Sequence, residues 1–147
     1  MAVVLALLGA SVSLALAGPA AAGAATPQSG SASKAPPSGM CPVTATTNAF
    51  LHDDGWQTEG RVHTEAHIGP NQYWFVGCRY NVTVRLFGVN PWTGVEGQMS
   101  SFTHQAVAGS KWDPWGNEKW PSWDDSFPAA YARALTRVDV DLDPVTN

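Results

Sequence analysis

The residues best suited to chemistry are His63, Glu65 and His67, set at alternate positions in His63-Thr64-Glu65-Ala66-His67. On a β-strand these three side chains share one face, and Val62, Thr64, Ala66 and Ile68 share the other. Imidazole and carboxylate are ligands of zinc, and neighbours two apart converge well enough to hold one. The outer histidines, however, stand ~13 Å apart along a straight strand, so no single ion meets all three. Nor is this the His-Glu-x-x-His arrangement of metalloproteases, in which the glutamate follows the first histidine directly. The pattern is expected to be the polar, solvent-facing side of a strand. His52 beside Asp53 and Asp54 offers a further acid–base pair, and His104 offers an imidazole from a different segment. His63, Glu65, His67 and His104 are therefore the catalytic candidates. A Gly-x-Ser-x-Gly elbow and phosphate-cradling glycine loops are absent from the sequence. Asp139, Asp141 and Asp143 supply oxygen of the kind calcium takes, but lack the glycine and terminal glutamate of a calcium loop. No metal and no cofactor is expected.

Binding chemistry is concentrated in 111–125, KWDPWGNEKWPSWDD, where Trp112, Trp115, Trp120 and Trp123 form two Trp-x-x-Trp pairs. Indole rings stack on the apolar faces of sugars, and neighbouring carboxylates and amides, here Asp113 and Asn117, bind hydroxyls. These six residues are the ligand-binding candidates. The competing role is a lid, with the rings folded back over the open end of a sheet. One ring of each pair is expected to point inward and its partner outward.

These side chains need a frame, and the sequence supplies one in 73–87, YWFVGCRYNVTVRLF. Trp74, Val76, Cys78, Tyr80, Val82, Val84 and Leu86 alternate with more polar residues, as in a strand with one buried face. Fifteen residues is long for a strand, so a bend is expected at Gly77. Residues 43–51 read as a first strand, and Asp54-Gly55 as a hairpin turn into a second strand at 56–68. Residues 98–107 read as a weaker strand. The Trp segment is expected to be a loop ending in N-cap candidates Asp124, Asp125 and Ser126, followed by a short helix at 127–136. Val138, Val140 and Leu142 alternate with the three aspartates in a last strand. The fold class is mainly β: a small antiparallel β-sandwich or barrel of about five strands, with one short C-terminal helix.

The chain has 147 residues and the first forty differ from the rest. Residues 1–25 are apolar and small, without a basic residue before the apolar run, and read as a signal peptide. Residues 26–40 are a Pro/Ser/Gly linker, expected to be disordered or extended. Residues 41–147 are expected to form a single β-rich domain. Its cysteines, Cys41 and Cys78, are an even count in a chain expected to be exported, so a disulfide is expected. Charge is mildly acidic, with a formal net of -4 and no basic run, which makes nucleic acid a poor partner. No membrane contact is expected once the leader is removed. Asn81-Val82-Thr83 has the form of a glycosylation sequon. The function expected is that of a secreted binding module whose Trp loop meets a glycan or other small molecule. The alternatives are a small secreted hydrolase or lyase built on the histidines, and an extracellular protein-binding factor or inhibitor.

Overall fold

The computed structural model describes residues 26–34 and 41–145. The apolar leader lies outside the described residues. The described residues form seven strands and one short helix, arranged in two antiparallel sheets. Strands β1 (Gln28–Lys34), β2 (Val43–Asp53), β3 (Thr58–Ile68) and β6 (Ser122–Phe127) form one sheet in the order β1-β2-β3-β6. Strands β5 (Glu96–Ala108), β4 (Cys78–Val89) and β7 (Leu135–Pro144) form the other, with β4 central. Helix α1 (Ala129–Ala134) connects β6 to β7.

The alternation in the sequence is what packs the two sheets. Val43, Ala45, Thr47 and Ala49 of β2 and Val62, Thr64, Ala66 and Ile68 of β3 face inward, opposite Tyr80, Val82, Val84 and Leu86 of β4. Each fully buried aliphatic side chain contributes about 1.5–3 kcal/mol of burial. Two threonines in this interior are satisfied locally: the Thr47 and Thr64 hydroxyls are 3.0 Å apart, and Thr47 also donates to the His63 carbonyl. Cys41 and Cys78 form a disulfide that ties the start of the domain to β4, and the Tyr80 hydroxyl donates to the Cys41 carbonyl at 3.1 Å.

Several expectations change. Residues 28–34, expected to lie in a disordered or extended linker, are strand β1, paired along its length with β2. Its small side chains let it lie close to β7: a Cβ on Gly30 would stand 2.7 Å from the Val138 carbonyl oxygen. Lys34 Nζ donates to the Leu142 carbonyl, which helps close that seam of the sandwich. The central strand starts at Cys78 rather than at residue 73, and Tyr73, Trp74, Phe75 and Val76 are exposed loop. Their alternation continues that of β4, but pairing with β5 ends at Cys78 opposite Ala108, and the chain bends at Trp74 and Phe75. Asp124, Asp125 and Ser126 do not cap the helix; they are β6, paired with β3, and the helix is six residues long with Pro128 at its N-cap. With β1 and β6 added, about five strands become seven.

The sandwich has two ends. At the disulfide end lie Cys41 and the loops 69–77 and 109–121; at the other lie the hairpin turn 54–57, the loop 90–95 and α1.

Candidate functional site

The Trp segment is held against β3 by backbone pairing that runs beyond β6. Ala66 N–H donates to the Pro121 carbonyl, and Ile68 and Lys119 exchange both backbone bonds. Continuing the β3–β6 register places Trp120 opposite His67, Ser122 opposite Glu65 and Asp124 opposite His63. Side chains at every second position share a face. Trp120, Ser122 and Asp124 therefore join His63, Glu65 and His67 on the outer face of the sheet, and Trp123 and Asp125 turn inward.

On the outer face, His67 and Trp120 stack with ring centroids 5.0 Å apart and planes 8° from parallel. Nε2 of His67 lies 2.7 Å from Oε1 of Glu118, which fixes the imidazole's orientation. Trp120 remains 69% exposed. Beside it is a depression of about 240 Å³ lined by Glu65, Ala66, Trp120, Pro121 and Ser122. One indole face is thus backed by an aromatic ring and the rest is open, with a carboxylate and a hydroxyl at the rim.

His63 stands further along the same face. Its Nδ1 is 2.7 Å from Asp124 Oδ1 and its Nε2 is 3.2 Å from Glu65 Oε1. Hydrogen bonds to Asp124 first and Glu65 second raise its pKa above the ordinary histidine value, since both favour the imidazolium. An imidazole with a carboxylate on each nitrogen is stabilised as a cation and is badly placed to accept a further proton.

On the inner side, Trp123 stacks on His104 of the other sheet, centroids 4.9 Å apart and planes 6° from parallel. His104 Nε2 lies 2.7 Å from Asp125 Oδ2. This trio spans the gap between β5 and β6 and closes the second seam of the sandwich. Trp123 packs against the core, so it belongs to the scaffold rather than to an open site.

The sequence-derived candidates therefore separate. His63, Glu65 and His67 do share one face, as their spacing requires, but each of the candidate histidines His63, His67 and His104 has a carboxylate of its own among the described residues. His104 faces the opposite sheet. Among the described residues no three His, Cys, Asp or Glu side chains gather at metal-binding geometry. Asp139 and Asp141 pair with Arg137 and Arg85 on the outside of the second sheet. His52 lies 3.9 Å from Asp54, and Asp53 and Asp54 accept the N–H groups of Gly55, Trp56 and Gln57, which is hairpin-turn chemistry.

Asp113 and Asn117, expected to face a ligand, shape the loop. Asp113 Oδ1 accepts the Trp115 N–H and its carbonyl accepts Gly116 and Asn117 N–H. The Asn117 carbonyl accepts Asn71 N–H at 2.9 Å, and Asn71 is the buried residue that joins the loops 69–77 and 109–121. Its amide nitrogen donates to Val76 and Gly109 carbonyls at 2.6 and 2.8 Å, and its amide oxygen accepts the Tyr73 N–H. In sequence, Gly69-Pro70-Asn71-Gln72 looks like any polar turn and carries no signal that Asn71 is buried. Trp112 and Trp115 are both exposed, so the inward–outward split holds for the second Trp pair and not for the first.

No protein-family model, curated protein or solved structure matches this chain.

Proposed function

We propose that the protein is a secreted, non-catalytic binding module that takes a carbohydrate on the outer face of the β1-β2-β3-β6 sheet, with Trp120 as the stacking platform. The observation that carries this reading is the Trp120 indole, laid on His67 and 69% exposed, with Glu65 and Ser122 beside it. A pyranose has an apolar face of C–H groups and a ring of hydroxyls. The first matches an indole and the second matches a carboxylate and a hydroxyl at its edge. His67 holds the platform in place, so little side-chain entropy is lost when a sugar stacks. Secretion is supported by the apolar character of 1–25 and by the Cys41–Cys78 disulfide, which persists in oxidising compartments.

The test is a tryptophan-fluorescence and NMR titration with soluble oligosaccharides of neutral and amino sugars. Saturable shifts are expected, abolished by Trp120→Ala and retained in Trp115→Ala. Shifts that survive Trp120→Ala, or no shift with any sugar, would overturn the reading.

A further inference from the structure

The two loops at the disulfide end carry a second surface, of different chemistry. Phe75 is 85% exposed and Trp115 is 88% exposed, and Trp74, Val76 and Trp112 are also largely in water. Single exposed apolar side chains are ordinary; a contiguous group drawn from two loops marks an interaction surface. The two loops that carry these residues touch. Trp74 and Trp112 are in contact, centroids 4.8 Å apart, and Lys111 N–H donates to the Tyr73 carbonyl at 2.7 Å. Buried Asn71 bonds to both loops and holds them as one tip.

We infer that this tip docks on a lipid surface, with Trp74, Phe75, Trp112 and Trp115 entering the headgroup layer while Lys111 and Lys119 meet lipid phosphates. Indole and phenyl rings at the end of a domain fit the interfacial region, where apolar bodies and polar N–H groups are both accommodated. The charges fit as well. Two of the chain's three lysines lie in this loop. Lys111 Nζ sits 4.5 Å from the centre of the Trp74 ring, and Lys119 Nζ donates to the Trp115 carbonyl, so one ammonium lies over an exposed indole and the other is tied to the backbone of the same loop. The acids of the same loop are engaged elsewhere, Asp113 with the Trp115 N–H and Glu118 with His67. Within loop 69–77, where it meets the start of β4, lies a pocket of about 160 Å³ with an almost wholly apolar wall formed by Asn71, Tyr73, Val76, Gly77 and Cys78. That space suits hydrocarbon better than a sugar's hydroxyls.

Alternative occupants fit less well. With Asp113 Oδ1 accepting the Trp115 N–H, these rings have less of a polar rim than Trp120 has. The tip is made of projecting turns and offers no sheet edge for a second chain to extend. Composition alone gave no reason to expect membrane contact by the folded domain, because 73–76 and 112–115 are far apart in sequence and only the fold brings them together. The inference is independent of the sugar reading: it uses neither Trp120 nor the outer sheet face.

The test mixes the full chain with phosphatidylcholine vesicles containing a minor share of phosphatidylserine, with and without bromine on the acyl chains near the headgroups. Bromolipid should quench part of the tryptophan emission. Trp112→Phe with Trp115→Phe should cut the quenching by roughly half or more, while Trp56→Phe with Trp92→Phe, at the other end, should leave it in place. Phe75→Ser with Val76→Ser, which removes no fluorophore, should cut it to a similar extent, and the exposure of both residues keeps the fold intact. A chain held only by its apolar N-terminal segment, with the tip in water, is not quenched, so the readout separates the two. Absence of quenching would overturn the inference, as would quenching indifferent to these loop substitutions. Concentration-dependent dimerisation that Phe75→Ser with Val76→Ser abolishes, without quenching, would overturn it in favour of a self-interface.

Discussion

His67 lies flat against Trp120 while Trp123, three residues on, lies flat against His104 on the other side of the same strand segment. Strand geometry requires this division: residues three apart on an extended chain point to opposite faces. A Trp-x-x-Trp pair that looks like a twin binding motif is thus one outward platform and one inward brace. Each indole has a carboxylate two positions away that fixes its histidine, Glu118 for Trp120 and Asp125 for Trp123.

This division predicts unequal costs of truncation. Trp123→Ala removes a half-buried ring that packs on the core and on His104, and should cost about 2–4 kcal/mol, below the full range for a buried tryptophan. For a domain of this size that lowers the melting temperature by roughly 4–8 °C per kcal/mol. Trp115→Ala removes an exposed ring and should stay within about 0.5 kcal/mol of the parent. Calorimetry on the two variants checks the contrast. Equal destabilisation would mean that the loop seals the core.

His63 predicts a pH signature. Its folded pKa is raised by Asp124 and then Glu65. A group with a raised folded pKa contributes stability that is fully present below its unfolded pKa, ~6.5, and lost as pH rises through the folded value. His63 is partly exposed, so the contribution is screened and NMR is the better readout than melting. The His63 ring should titrate above the ordinary histidine value, and Asp124→Asn should lower it further than Glu65→Gln does. An unchanged His63 titration in Asp124→Asn would contradict the assignment.

The disulfide closes a loop of 37 residues, for which the chain-entropy model gives about 4 kcal/mol. Cys78→Ala should lose much of that, with the denaturant midpoint falling and the slope rising as the unlinked unfolded chain exposes more surface. Non-reducing peptide mapping should link Cys41 to Cys78.

The sandwich was legible wherever inward and outward residues alternate over a full strand, as in 43–51 and 78–86. It was illegible where pairing rests on backbone alone. Strand β1 has no large apolar side chain, and its place is set by the room that Ser, Gly and Ala leave beside β7. Strand β6 was hidden by proline at 121 and 128 and by Asp124-Asp125-Ser126, which resembles a helix start as strongly as a strand. The shared face of His63, Glu65 and His67 could be read from spacing. The partners that engage these residues could not, because register across β3 and β6 decides them. The exposed tip at 73–76 was misassigned for the opposite reason: its alternation is real, and a bend expected at Gly77 does not by itself say that pairing stops at Cys78.

Asn71 gives the last prediction, since it is buried and its side chain bonds to loop 69–77 at two points and to loop 109–121 at one. Asn71→Ala would leave the Val76 and Gly109 carbonyls and the Tyr73 N–H without their partner, at about 1–3 kcal/mol for each group that water does not reach. Asn71→Asp is nearly the same size but replaces the donating amide with a carboxylate facing two carbonyl oxygens, and should be the more damaging of the two. The damage should also be local. Amide hydrogen exchange ought to rise at Tyr73, Gly109 and Asn117 while the centre of β4 keeps its protection, because the loops lie outside the packed interior. Vesicle-dependent quenching should fall in Asn71→Ala even though every exposed ring is still present, since two loops no longer tied together cannot present one surface. Unaltered exchange at Gly109 and Asn117 in that variant would show that the loops are held by something other than Asn71.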